Sequence, residues 1–300
     1  AYAARRIEQP PIVHATVANG EFHIKAGGYK QGPLPYFTTK VNGGFFSNGA
    51  NYGLPSIMGL IMLNHTENGF PLAVMDSSTI TAMRTAAAMG VAAKYAAKPQ
   101  CRVATICGAG RQASWQLRAL KEVMPQIHTI FVYSTSFEKS EQFSRAMSQE
   151  LQMHIVPTRE LKTALQASQV CITCTNSKKY FVDKSMVPAE MFIAAMGADS
   201  PDKQEIDPQL FREASIVVDI REQCAQVGEL HHALGLGLVD ENRVIELGDV
   251  VTGKWPKENG LGNPVIFDST GTAMQDTALA ALVYERAIQN GKGSYFQFFN

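Results

Sequence analysis

A chain of 300 residues, 45% of them hydrophobic, holds enough apolar material for one large or two ordinary domains, and a globular fold is expected. Lys plus Arg equals Asp plus Glu at 27 each, so no basic excess directs the protein to nucleic acid or an anionic membrane; a small molecule is the expected partner. No run approaches the length of a membrane span, and the opening "AYAARRIEQPP" lacks the apolar core of a signal peptide, so a soluble, cytoplasmic protein is expected.

To about residue 76 the segments "EFHIKAGGY", "YFTTKVNGG", "SIMGLIMLN" and "FPLAVMD" alternate with Gly, Pro and Asn-Gly signals, which predicts hairpins. The period then changes. "DSSTITAMRTAAAMGVAAKYAAKP" predicts a long helix capped by its serines and threonines, closed by Pro99, and packed between domains through its alanines. From Arg102 to about Asp219 strand and helix periods alternate: "RVATIC", "QASWQLRALKEVM", "TIFVYS", "EKSEQFSRAMSQEL", "HIVP", "RELKTALQAS", "VCITCT", "MFIAAMG", "PQLFREA", "SIVVDI". Strands joined by helices of that length imply right-handed crossovers and a parallel sheet. A Gly-rich stretch follows, then a strand in "PVIFDST" and a last helix, "TAMQDTALAALVYERAIQ", too apolar to stand alone and expected to return to the first domain. The fold class is therefore α/β: a Rossmann dinucleotide-binding domain over 98–268, inserted in a β-rich α+β domain formed by 1–97 plus 269–300.

Between the first strand and helix of the alternating region, "VATICGAGRQA" contains G-x-G-x-x-A at Gly108, Gly110 and Ala113. Alone this spacing is weak; after a strand and before an amphipathic helix it is the setting a dinucleotide requires. Gly108 makes the turn, Gly110 lets a pyrophosphate approach the backbone, and Ala113 allows the helix to lie close on the strand, with the phosphates at the helix N-terminus. At the end of the second strand an acid would bond the ribose hydroxyls of NAD, and none is present: Ser134, Thr135 and Ser136 stand there with Lys139 nearby. Without a carboxylate to repel a 2′-phosphate, NADP(H) is favoured, with NAD(H) as the alternative.

The five cysteines are odd in number and Cys101, Cys107, Cys171 and Cys174 sit in apolar runs, so reduced buried thiols and no disulfide are expected. Cys171 and Cys174 form a C-x-x-C, but on a strand residues three apart face opposite sides, and His231-His232 has no companion ligands; no metal site is expected.

Three polar residues could carry chemistry. Lys40, in "FTTKVNGG", is either a surface lysine on a hairpin or a partly desolvated acid-base group. Arg84, in the alanine helix, would need a carboxylate, structural or a substrate's. Asp199 follows an apolar strand and a glycine, where a parallel sheet opens to its ligand, although an Asx-turn or helix cap reads the same way.

"TAMRTAAA", "GAGRQA", "AAMGADSPDKQEID", "VVDI" and "IFDSTGTAMQD" together resemble the ornithine cyclodeaminase/mu-crystallin family over nearly the whole chain, which begins some way into the family pattern, past its first helical segment. The resemblance implies that the domain formed by both chain ends binds substrate and dimerises. It also implies hydride transfer between a nicotinamide and the Cα of an imino or amino acid. In that scheme Lys40 and Asp199 are the acid-base pair, and Arg84 with Lys40 grips the substrate carboxylate. Thr85, Arg111, Gln112, Thr173, Thr175, Asn176, Ser177, Met196 and Gly197 line the coenzyme beside the fingerprint. Upstream of Lys40 many members carry a second carboxylate-binding arginine, where this chain offers Ile12 or His14. That departure and the missing ribose-binding acid favour an imine or cyclic ketimine reductase, or an amino-acid dehydrogenase of the alanine dehydrogenase type. The alternatives are ornithine cyclodeaminase, an ammonia lyase using bound NAD, and a non-catalytic NADPH-dependent ligand-binding protein of mu-crystallin type. A homodimer is expected, with the aromatic tail "SYFQFFN" as one element of its interface.

Overall fold

A computed structural model describes residues 7–29, 34–254 and 264–297. The described residues divide into two compact units, one running to Arg84 and resuming at Thr272, the other from Thr85 to Gly271.

In the first unit β1 (Ile7–Glu8), β2 (Val13–Val17), β3 (Gly20–Tyr29), β4 (Tyr36–Gly44), β5 (Ile57–His65) and β6 (Pro71–Asp76) form an antiparallel sheet in the order β1-β3-β4-β5-β6, with β2 also on β3. A short helix, α1 (Asn48–Tyr52), lies between β4 and β5. Register separates two faces, because successive side chains of a strand point to opposite sides. The pairs His14↔His23, His23↔Asn42, Lys25↔Lys40 and Lys40↔Ile61 place His14, His23, Lys25, Lys40, Asn42 and Ile61 on one face. Ile61 and Leu63 of that face pack with Ala280 of the last helix, α9 (Ala273–Gln289). The helix approaches closely because β3 has a glycine where they meet: a Cβ on Gly27 would lie 2.8 Å from Ala273 Cβ. Thr272 and Gln275 close the start of α9 with a reciprocal capping box. The opposite face carries Val13, Phe22, Val41, Leu60, Met62 and Val74, all exposed.

Helix α2 (Ser77–Ala96) contributes to both units, and the division falls within it rather than at residue 97. The reason is packing: Ala88, Met89, Ala92, Ala93 and Ala96 belong to the core of the second unit. Its N-cap also differs from expectation. Asp76, not a serine or threonine, accepts from the N–H groups of Ser78 and Thr79.

The second unit is an eight-stranded parallel sheet. β7 (Val103–Cys107), β8 (Thr129–Tyr133), β9 (His154–Pro157), β10 (Val170–Thr173), β12 (Phe192–Ala195), β14 (Ser215–Val218), β15 (Val244–Glu246) and β16 (Val265–Asp268) take the order β15-β14-β16-β12-β10-β7-β8-β9. A separate parallel pair joins β11 (Lys178–Val182) to β13 (Gln204–Ile206). Helices α3 (Arg111–Val123), α4 (Phe137–Leu151) and α5 (Leu161–Gln166) connect the first strands; α6 (Arg221–Val227), α7 (Glu229–Gly235) and α8 (Leu247–Val251) follow later. Ala113, Leu117 and Leu120 form the buried stripe of α3, as the 3.6-residue period predicts. The segment "PQLFREA" is a single 3₁₀ turn, Pro208–Arg212, because Asp207 caps it and Pro208 opens it. The sheet is a Rossmann-type α/β fold, and chain order reverses at β7, between β8 and β10, where such sheets open a ligand crevice. The five cysteines are free thiols, and no described helix is long and apolar enough to cross a membrane. Of the aromatic tail, Tyr295 and Phe296 are exposed; residues 298–300, like residues 1–6 of the opening segment, lie outside the described residues.

Candidate active site

In the first unit Lys40 is 1% exposed, so the surface alternative for it is excluded. Its Nζ lies 2.6 Å from Asp276 Oδ2, and Arg84 Nε donates to Asp276 Oδ1 at 2.9 Å. One fully buried carboxylate at the start of α9 thus bridges a strand lysine and a helix arginine. Arg84 also donates to Gln275 Oε1, the same side chain that completes the α9 cap, and Lys40 donates to Thr81 Oγ1 one turn before Arg84. Burial pushes Lys40 down to about 7; Asp276 opposes that shift, while the positive charges of Arg84 and Lys25 reinforce it. Burial alone would raise Asp276, but Lys40, Arg84 and Lys25 outweigh it and hold the carboxyl below its ordinary value. The unit therefore presents a lysine able to exchange a proton near neutrality beside a guanidinium already oriented by a carboxylate.

His14, on the same sheet face, has its Nε2 3.0 Å from Glu21 Oε2, and His23 Nε2 lies 3.3 Å from Glu21 Oε1.

In the second unit the strand register aligns Cys107, Tyr133, Thr173 and Ala195, so the residues that follow them share one end of the sheet. Gly108 has φ +121°, and a Cβ there would meet the carbonyl oxygen and Sγ of Cys174 at 3.1 Å; only glycine makes this turn without strain. Gly110 is different: its backbone is extended, and nothing in the protein lies within 4 Å of where a Cβ would be. Protein packing gives no reason for glycine at 110, and the open space lies at the N-terminus of α3, where the chemistry of a helix start suits an anion such as a pyrophosphate. Ala113 is fully buried and packs in the core of the unit.

At the end of β8, Ser134 Oγ donates to Ser136 O, and Ser136 Oγ caps α4 by accepting from Lys139 N. Two of the three hydroxyls in this segment are thus engaged within the turn itself, while Thr135 is exposed. Beyond them Arg159 stacks over the Phe137 ring at 3.7 Å.

The ends of β10 and β12 are joined by Glu205, which no motif spacing singled out. Its carboxylate accepts from Thr173 Oγ1 at 2.7 Å, from Thr175 N at 2.6 Å and from Gly197 N at 2.9 Å. A Cβ on Gly197 would lie 2.5 Å from that carboxylate, so glycine is required there. Burial raises Glu205 above its ordinary value against the pull of those donors. Met196 is buried beside it, and Thr85 is buried on α2. Asp199 neither begins a helix nor lies deep: its Oδ1 accepts from Lys203 Nζ at 2.6 Å, and its side chain is 40% exposed.

The family model for the ornithine cyclodeaminase/mu-crystallin family matches residues 2–291. This chain belongs to that family. It is 38% identical over 249 residues to alanine dehydrogenase of Archaeoglobus fulgidus, covering 82% of this chain and 76% of that one. Among solved structures, an archaeal alanine dehydrogenase dimer with bound NAD matches with a TM-score of 0.92 and 34% identity, over 99% of this chain and 91% of that chain. Thermococcus litoralis Δ1-pyrroline-2-carboxylate reductase, in complex with NADH and L-proline, matches with a TM-score of 0.92 and 29% identity, over 98% and 91%.

Two buried carboxylates of this member of the ornithine cyclodeaminase/mu-crystallin family escaped sequence reasoning. Asp276 lies in the quoted "IFDSTGTAMQD", but an acid in the first turn of a helix reads as a dipole partner. It is the one acid of α9 before Glu285, and that isolation was the available signal. Glu205, in "KQEID", lies between Gln204 and Ile206 in a segment of mixed polarity and gave none.

Proposed function

We propose that this chain is a nicotinamide-dinucleotide-dependent oxidoreductase that interconverts a small imino acid and the corresponding amino acid. The observation that carries this reading is the Lys40–Asp276–Arg84 cluster, a buried lysine poised near neutrality beside a buried guanidinium on one shared carboxylate. A binding protein has no use for a lysine at that proton affinity, whereas interconversion of an imino and an amino acid, the chemistry named by the alanine dehydrogenase and pyrroline-2-carboxylate reductase relatives, calls for a group that gives and takes a proton at nitrogen. When bound, the nicotinamide dinucleotide supplies or accepts the hydride. Gly108, Gly110, Arg111, Gln112 and Ala113 would hold its pyrophosphate; Thr85, Thr173, Thr175, Met196 and Gly197 would line it. Arg84 binds the substrate carboxylate and fixes its Cα. Lys40 protonates the substrate nitrogen as carbon is reduced and removes that proton in the reverse direction, with Asp199 as the second acid-base group.

NADP(H) is the proposed preference, with NAD(H) accepted. Support comes from the missing carboxylate at 134–136 and from the cations Lys139 and Arg159 that follow the second and third strands. The relatives with bound NAD and NADH make the ratio of kcat/KM for NADPH over NADH the deciding measurement; a ratio below one overturns the preference. The chain is proposed to act as a homodimer through the exposed apolar face of the first sheet.

The reaction is tested with purified protein, NADPH or NADH, and pyrroline-2-carboxylate, piperideine-2-carboxylate, pyruvate with ammonia, or oxaloacetate with ammonia. Net coenzyme oxidation is expected with at least one. Ammonia release from ornithine without net coenzyme change would replace this reading with a cyclodeaminase.

A further inference from the structure

The first sheet carries a second cluster, apart from the Lys40–Asp276–Arg84 group. His14 and His23 are directly opposite each other across β2 and β3, and Glu21 is two residues before His23, on the same face. Both imidazoles turn their Nε2 atoms to the one carboxylate, at 3.0 and 3.3 Å, with ring centroids 4.5 Å apart and planes tilted by 37°. One donor atom from each of the three side chains lies within 4.8 Å of the others. We propose that His14, Glu21 and His23 form a binding site for a divalent transition-metal ion of zinc type.

Three features support a metal over a simple ion pair. Two imidazole nitrogens and one carboxylate oxygen are the donor set of three-ligand zinc sites that keep a fourth position open. Ligand atoms around a tetrahedral zinc stand about 3.3–3.5 Å apart, given bond lengths of about 2.0–2.2 Å. The donor atoms here lie within 4.8 Å of one another, with each imidazole Nε2 already 3.0 or 3.3 Å from a carboxylate oxygen, so adjustment of the side chains alone closes the cluster onto an ion. The backbone is already fixed, since antiparallel pairing from Val13↔Ile24 to Val17↔Gly20 sets the separation of the ligands. Burial grades across the site, with side-chain exposures of 10% for His23, 16% for Glu21 and 29% for His14. One ligand is thus desolvated and held while the rim stays open for entry and for a water or anionic fourth ligand. Nitrogen-rich ligation favours zinc, cobalt, nickel or copper over magnesium and calcium, which take oxygen donors. His23 faces Asn42, and Lys25 faces Lys40 in the next row, so the ion would sit on the proton-transfer face of the sheet.

No sequence motif announces such a site. The spacing from His14 to Glu21 to His23 matches no zinc signature, and the ligands meet because the hairpin folds them together.

The test uses the full chain, freed of metal by chelation and dialysis, and titrated with cobalt(II) under visible spectroscopy. The proposal expects uptake of one equivalent per chain, with the ligand-field bands of a low-coordinate site, displacement by zinc, and no response to magnesium. His23→Ala and Glu21→Gln should each weaken cobalt affinity at least 10-fold while the coenzyme-free unfolding midpoint confirms that the variants fold. If His23→Ala fails to fold, His14→Gln at the rim serves in its place. No uptake at tens of micromolar cobalt, or equal uptake by a His14→Gln, Glu21→Gln double variant, would overturn the proposal and leave Glu21 as a counter-ion tying two imidazoles across the hairpin.

Discussion

A carboxylate held by two buried cations is costly to disturb from either side, and Asp276 is in that position. Asp276→Asn keeps the shape and removes the charge, leaving Lys40 and Arg84 uncompensated. Breaking a buried ion pair in this way typically costs about 3–5 kcal/mol. A fall of that size in the urea unfolding free energy is expected; a change below about 1 kcal/mol would show that the cluster is better solvated than its burial indicates. Lys40 sets a second expectation. Its ammonium is present below about pH 7 and lost above it. Imine reduction needs that proton, so kcat/KM in the reductive direction should fall as pH rises through about 7. Amino-acid oxidation needs the neutral amine and should rise over the same interval. Profiles with the same sign in both directions would remove Lys40 from proton transfer. Arg84 was legible as a residue in want of a carboxylate, but its partner lies 192 positions away, on a helix whose return to the first unit was expected and whose facing side chain was not.

At the scale of elements, the two glycines of the fingerprint separate protein packing from ligand binding. Gly108 is required by its backbone and by Cys174, whereas the space beside Gly110 is empty of protein. Gly110→Ala should therefore change stability by no more than about 1 kcal/mol, the range of an N-cap exchange, yet weaken coenzyme binding at least 10-fold by fluorescence titration. Unaltered coenzyme affinity would show that the phosphates do not approach there. The alternation of strands and helices in the second unit was legible because both periods are long and unbroken there. β11, β13 and β15 were not, being short and lacking alternation. "PQLFREA" misled because its apolar spacing suits a helix while its length supports only one turn. Glu205 was invisible for a related reason: its role lies in joining two strand ends that are adjacent only after the parallel sheet forms.

For the whole molecule, the composition pointed to a small-molecule protein, and membership of the ornithine cyclodeaminase/mu-crystallin family agrees with that. The exposed apolar face of the first sheet was not legible beforehand, since each of its strands also contributes to a buried face and alternation alone does not say which side meets solvent. Leu60, on that face between β4 and β6, is 58% exposed. In sedimentation velocity the native chain should run as a dimer and Leu60→Glu as a folded monomer; a monomeric native chain would remove the interface. The most direct measurement remains the loss of reduced-coenzyme absorbance with the imino-acid panel, run for the native chain and Lys40→Ala. Stoichiometric conversion to the amino acid by the native chain is expected, with Lys40→Ala about 10²–10⁴-fold slower at unchanged coenzyme affinity. Equal rates in the two proteins, or no coenzyme oxidation with any member of the panel, would contradict hydride transfer assisted by the buried lysine.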